Sequence, residues 1–281
     1  MKKLCCLSIA LLFVLLCACG APEAPTPATV PTTAGTTQPA PATTVPTEAT
    51  TAPTEAATEP TAPNIPAITS IPGVSTEDMI GYFNEVCLDA EFENAGDSSL
   101  LQRWAEPIYY VLHGTPTDAD LEIFHRFCDE LNSIYGFPGI FPAREDMPQL
   151  TNLNIHFCTE AEMLDILGEN FVGCDGGVTF WYNGINEIND AVICYRTDID
   201  QEVRNSVILE EIYNGLGPVQ DTWLRQESLI YAGYSTPQWM TNIDKVILQL
   251  LYHPDLACGM HAEACAQVIR ELYKEEGNDH A

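Results

Sequence analysis

Basic residues are scarce in this 281-residue chain: 11 Lys and Arg stand against 40 Asp and Glu, a formal net charge of −29. Binding to nucleic-acid phosphates or to anionic lipid headgroups needs clustered cations, so neither is expected as an electrostatic partner. No Gly-rich phosphate loop and no G-x-S-x-G segment occurs, which removes two common signatures of nucleotide binding and of serine hydrolysis. No C-x-x-C occurs, arguing against a redox dithiol or a zinc ribbon. No two of the six histidines (His113, His125, His156, His253, His261, His280) stand four apart, so no helix carries an i, i+4 imidazole pair. What the chain has in quantity is apolar surface, 46% of residues, enough for a packed core and too much for global disorder.

The N-terminus reads as an address. Lys2 and Lys3 precede an apolar stretch from Leu4 to Leu16, the layout of a signal peptide and too short for a spanning helix of roughly 20 residues. It ends in Leu16-Cys17-Ala18-Cys19-Gly20, which resembles the bacterial lipobox. The resemblance implies a signal peptide over 1–18, cleavage after Ala18, and diacylglyceryl attachment at Cys19; the alternative is an ordinary cleaved secretory signal. Acyl chains contribute ~0.8 kcal/mol per buried CH₂, so two or three on one cysteine anchor stably. The expected partner at this end is membrane lipid, and the expected location is the bacterial cell membrane, facing outside the cytoplasm.

Between Ala21 and Pro72 the composition changes abruptly. Of these 52 residues 15 are Thr, 12 Pro and 12 Ala, with no aromatic and only Glu23, Glu48, Glu55 and Glu59 charged. Such a segment cannot bury enough apolar surface to offset chain entropy. Residues 19–74 are therefore expected to form a lipidated, disordered tether. Its prolines favour extended polyproline II, and fully extended it would reach on the order of 150 Å.

A globular domain is expected over 75–276, followed by a frayed tail at 277–281. Without the tether acids and signal lysines it holds 36 acidic and 9 basic residues, a balance of −27. The patterning is α+β. Ser75-Thr76-Glu77 opens a helix to about Phe92. Trp104 to Leu112 reads as a strand. Thr117 caps a helix from about Asp118 to Ile134. Leu153 to Cys158 alternates as a strand, and Glu160 to Leu167 is a short helix. Val178 to Trp181 and Asp190 to Tyr195 are strands joined through the turn signal Asn183-Gly184. Arg204 to Leu216 is a helix stopped by Gly217-Pro218. Thr241-Asn242-Ile243-Asp244 is a capping box before VILQLLY, and Met260 to Lys274 is the last helix. Seven cysteines follow Cys19: Cys87, Cys128, Cys158, Cys174, Cys194, Cys258 and Cys265. In an exported protein they permit three disulfides, with a local Cys258–Cys265 bridge one option and buried free thiols the other.

The stretch Glu210-Glu211-Ile212-Tyr213-Asn214-Gly215-Leu216-Gly217 is the one motif with a bearing on chemistry. The succession of helix, strands, a helix ending in Leu-Gly, an irregular loop and a closing helix resembles the metzincin zinc peptidases, and among them the matrixins. Their active-site helix reads H-E-x-x-H-x-L-G, with a third ligand shortly after the Gly. Two imidazoles at i and i+4 grip Zn²⁺ while the intervening Glu polarises the bound water. On this alignment Glu211 falls at the general base, Glu210 and Asn214 at the two histidines, and Gln220 at the third ligand, with Asp221 beside it. Ser228-Leu229-Ile230-Tyr231 is similar to the Met-turn segment, with Ile230 at the Met position, and Asp244 to Tyr252 to the closing helix. Leu251-Tyr252-His253-Pro254 and Gly259-Met260 also resemble the ending of a family of secreted bacterial domains of unknown function.

The resemblance implies a metzincin-like α+β fold: a small mixed sheet, an active-site-type helix and C-terminal helices. It does not carry over an intact zinc site. Amide and carboxylate oxygens replace the imidazoles, a set suited to a hard cation if to any, so no metal or other cofactor is expected. The leading expectation is a pseudo-metallopeptidase domain acting as a binding or structural module at the cell surface. One alternative is a divergent hydrolase using Glu211 as base. Another is a solute-binding lipoprotein whose cleft, lined by Glu210, Asn214, Gln220 and Asp221, takes a cationic or peptide ligand.

Overall fold

A computed structural model describes residues 65–88, 100–233 and 235–274. The expectations for the signal peptide, for Cys19, for the tether up to residue 64 and for the frayed tail lie outside the described residues. Among the described residues six strands and six α-helices follow one another, in accord with the α+β expectation. The helices are α1 (Thr76–Leu88), α2 (Asp118–Asn132), α3 (Glu160–Leu167), α4 (Gln201–Asn214), α5 (Asn242–Leu251) and α6 (Ala262–Leu272). The strands are β1 (Arg103–Trp104), β2 (Ile108–Gly114), β3 (Ile140–Pro142), β4 (Leu153–Cys158), β5 (Gly176–Tyr182) and β6 (Glu187–Arg196).

The strands form one sheet in the order β1-β6-β4-β2-β3, all parallel, with β5 antiparallel to β6. Asn183-Gly184 makes the β5–β6 turn as its sequence predicts. The WAEPIYYVL stretch is not one strand: Pro107 has no N–H to donate, and the chain bends there between β1 and β2. Ile140–Pro142, too short for a periodicity signal, adds the edge strand β3 against Ile108–Tyr110.

Three Thr-x-x-Asp/Glu boxes start three helices. Thr117 N–H donates to Asp120 (2.7 Å), Thr159 N–H to Glu162 (2.8 Å) and Thr241 N–H to Asp244 (3.1 Å). Alternation along β2, β4 and β6 divides the sheet. Ile108, Tyr110, Leu153, Ile155, Phe157, Ala191, Ile193 and Tyr195 are buried on the face that receives α2 and α4. There Tyr110 meets Phe124 edge-on (4.8 Å between ring centroids), and the Tyr195 hydroxyl donates to Ile208 O (3.2 Å). On the opposite face α3 and the turn after it cover one end. Phe171 and Leu167 fill the space beside Gly177, within a small cluster that includes Met163, Cys158, Cys174 and Cys194.

Residues 65–74, assigned by composition to the tether, lie against the folded unit. Ile68 and Ile71 pack on the core, Val74 is buried, and Ile71 N–H donates to the Tyr273 hydroxyl (2.9 Å). These apolar residues set the segment apart from the Thr/Pro/Ala run before it. The proposed Cys258–Cys265 bridge is not formed, and Cys87, Cys128, Cys158 and Cys194 are free thiols as well. Cys265 faces the core from α6, whereas Cys258 sits in the preceding turn, its sulfur against Arg103 O (3.6 Å). Among the described residues no helix is long and apolar enough to cross a membrane.

Candidate functional site

The α4 helix runs beneath β5, and small residues set how closely. A Cβ on Gly176 would stand 2.5 Å from Val207 Cγ1 and 3.0 Å from Glu211 Cγ, and one on Gly215 would stand 3.3 Å from Val178 Cγ2. Residues 207, 211 and 215 are spaced by four and form one ridge along the helix. Glu211 is therefore turned toward the sheet, 5% exposed, with its carboxylate near Tyr195. Burial raises the Tyr195 phenol well above its ordinary range, and Glu211 raises it further.

The far end of α4 is closed by side chains from distant parts of the chain. Trp104 Nε1 donates to Gly215 O (2.8 Å) and the Tyr252 hydroxyl to Leu216 O (2.8 Å), satisfying carbonyls that a helix end leaves free. Leu216 is buried in the core. Gly217 has φ = +129°, and a Cβ there would stand 2.6 Å from Gln102 O. The Leu-Gly pair thus has a structural cause, an apolar plug followed by a residue that must lie against the backbone before β1.

Beyond Gly217 the chain is irregular but pinned. Val219 N–H donates to Val86 O (2.9 Å), the Thr222 hydroxyl donates to the Glu85 carboxylate, and Thr222 N–H donates to Ile230 O (2.9 Å). The Ser228-Leu229-Ile230 segment is fully buried on Asp244. Ser228 Oγ donates to Asp244 Oδ1 (2.6 Å), Leu229 N–H reaches both carboxylate oxygens (3.2 Å each), and Thr241 Oγ1 donates to Oδ2 (2.6 Å). Tyr213 of α4 donates to the Asp244 carbonyl (3.0 Å). Asp244 therefore ties the start of α5 to the buried 228–230 segment and to α4.

This scaffold brings Asn214 and Asp221 together, Asn214 Nδ2 lying 3.5 Å from Asp221 Oδ1. Asn214 is buried, and both its Oδ1 and Gln220 Oε1 are enclosed without a hydrogen-bond partner among the described residues. Glu211 lies one turn back, toward β5, and Glu210 is half-buried beside it. The donors are oxygens: no histidine stands on α4 or in the loop after it, and no group of three His, Cys, Asp or Glu converges on a metal-sized space among the described residues. Zn²⁺ prefers nitrogen and sulfur, so this set does not fit that ion.

A sequence model of one protein family matches residues 76–271 and is described as a protein of unknown function, DUF2927. The chain belongs to this DUF2927 family. No curated protein and no solved structure matches it. The matched span begins with α1 and ends in α6, so it takes in the whole sheet together with α4 and the Asp244 hub.

Other sites in this DUF2927 domain were not legible in the sequence. His113 and His156 are register partners on β2 and β4 and stack face to face, 4.4 Å between centroids. His113 Nε2 lies 3.0 Å from Asn154 Oδ1. Burial, and then the neighbouring His113, lower the His156 pKa. Alternation in LNIHFC places His156 opposite the core, but nothing in the sequence pairs it with His113. Arg204 and Asp120 form a buried ion pair between α4 and α2 (Nε to Oδ1 2.7 Å), equally invisible to spacing.

Proposed function

We propose that this DUF2927 domain is a peptidase-like scaffold of metzincin type without the metal chemistry, acting as a binding or structural module held at the bacterial cell surface through lipid on Cys19. The observation that carries this reading is the end of α4. The helix-ending Leu216-Gly217, the buried 228–230 segment and the closing helix from Asp244 support a metzincin-like frame, while Asn214 and Gln220 offer amide oxygens where that frame would carry imidazoles. With Glu210, Asn214 and Gln220 at the positions of the imidazoles, Glu211 lacks the nitrogen ligands that would hold a metal-activated water beside it. Ligand recognition would then fall to the oxygen-rich end of α4, where Asn214, Gln220 and Asp221 favour a cationic or peptide group over an anion.

The test is an activity assay with added metal. The purified chain is incubated with zinc at neutral pH and with casein or a peptide library, with and without chelator. No chelator-sensitive cleavage is expected; chelator-sensitive turnover abolished by Glu211→Gln would establish the hydrolase alternative instead.

A further inference from the structure

The face of the sheet turned away from α2 and α4 carries a surface independent of the α4 site. Strand register sorts its side chains into rows. Phe141 is the partner of Tyr109, Asp190 is the partner of Trp181, and Asn152, the residue before β4, bonds Tyr109 across the gap (Tyr109 N–H to Asn152 Oδ1, 2.7 Å). One row thus runs over five strands, Phe141 at one end and Trp181 at the other. At ~4.8 Å per strand it spans roughly 19 Å. Phe141 and Trp181 are 43% and 45% exposed, and Phe141 tilts against Tyr109 with 6.3 Å between ring centroids. The next row holds Val111, Asn154, Val192 and Thr179, all half-buried. The third begins with the His113–His156 stack and leads into an open depression of about 290 Å³ between β4 and α3, lined by His156, Glu162 and Asp165 among others.

We infer that this face is a saccharide-binding platform for an extended, neutral chain of equatorially linked pyranoses. Rings exposed in a line supply flat apolar surfaces that stack on the C–H faces of a sugar. Between and beside them stand the Asn154 amide, its Oδ1 already against His113 Nε2 (3.0 Å), the Thr179 hydroxyl, the two imidazoles and the exposed Asp190 carboxylate, groups that donate to or accept from hydroxyls. Asn152 is not among them, since its amide is engaged by Tyr109 N–H and Pro107 O. The charge pattern decides against other polymers. Nucleic acid would also stack on a sheet's aromatics, but the rows hold no Lys, and Arg196 at their far end is paired with Asp198 (3.0 Å). An added peptide strand would seek a sheet edge, not the middle of a face. The inference goes beyond the proposed role of α4, because α4 packs on the other side of the sheet.

The test uses the purified full-length chain and two β-1,4-linked hexasaccharides, one of glucose and one of N-acetylglucosamine, which separate a plain from an N-acetylated source of the same chemistry. Saturable binding of at least one by titration calorimetry is expected. Trp181→Ala and Phe141→Ala should each weaken it tenfold or more, whereas Trp223→Ala, 68% exposed in the loop after α4, should leave it unchanged. On the unaltered chain, bound hexasaccharide should protect Trp181 from N-bromosuccinimide oxidation, read by mass spectrometry. The inference is overturned if neither sugar binds at millimolar concentration, if the Trp181→Ala/Phe141→Ala double variant binds as well as the parent, or if cationic peptides protect Trp181 and the sugars do not. None of these failures bears on the α4 reading, which the cleavage assay addresses separately.

Discussion

Trp104 donates its indole N–H to the carbonyl of Gly215, 2.8 Å away and 111 residues later in sequence. This bond and its counterpart from Tyr252 to Leu216 O lock the end of α4, and with it the position of Asn214 and the loop to Asp221, to the first strand and to the end of α5.

Removing one of these donors should loosen that end measurably. Tyr252→Phe keeps the edge-on contact with Phe137 (5.0 Å) but leaves a buried carbonyl without its donor. A loss of about 1–3 kcal/mol in urea unfolding is expected. A change within error would mean that water satisfies Leu216 O and that the cap is dispensable.

Asp244 should give stability a specific pH dependence. Burial raises its carboxyl to about 6, against the hydrogen bonds from Ser228, Thr241 and Leu229 that lower it; the unfolded value is about 3.9. A group raised in the folded state contributes fully below its unfolded pKa, and the contribution is lost as pH rises through the folded one. Between pH 4 and 7 the parent should therefore lose about 2 kcal/mol relative to Asp244→Asn, which does not titrate. Parallel denaturation curves for the two proteins across that range would refute the assignment.

The Asp120–Arg204 pair joins the first turn of α2 to α4 in a buried setting. Burial alone would raise the Asp120 carboxyl, but hydrogen bonds from Arg204, Gln201 and Thr117 outweigh it, so the net shift is downward. Its contribution is present above the unfolded value and is lost as pH falls through the folded one. Asp120→Ala strands a buried guanidinium and should cost about 3–5 kcal/mol, while the apolar pair Asp120→Leu with Arg204→Met should recover most of that. Thermal melts of the three proteins at pH 7 distinguish the cases.

The peptidase-like reading of α4 can be tested by restoring what it lacks. Glu210→His, Asn214→His and Gln220→His together should create a site that takes up one equivalent of Zn²⁺ by elemental analysis and gives a tetrahedral Co²⁺ spectrum. If these three positions do not converge, no metal will be held, and the kinship argued from the Leu-Gly ending will fail with it.

Much of the secondary structure was legible because it is written locally. The strand Leu153–Cys158 and the helix Glu160–Leu167 occur at the positions expected of them, and the caps read at Thr117 and Thr241 mark helix starts. The errors fall where a local signal is too short or is interrupted. β3 has only three residues, and Pro107 divides what reads as one aromatic run into two strands. The Leu216-Gly217 ending is readable as a helix stop, yet the reason for it, the approach of Gly217 to Gln102 O, is a long-range contact.

By itself the sequence determined the α+β class, the acidic balance of the chain, and the helix termini, because composition, periodicity and capping act within a few residues. Tertiary structure alone decided which side chains meet. Register across parallel strands stacked His113 on His156 and aligned Phe141 with Trp181's row, and helix packing turned Glu211 under Gly176 and brought Asn214 to Asp221. Strand pairing and burial join residues far apart along the chain, and spacing along it carries no record of those partners.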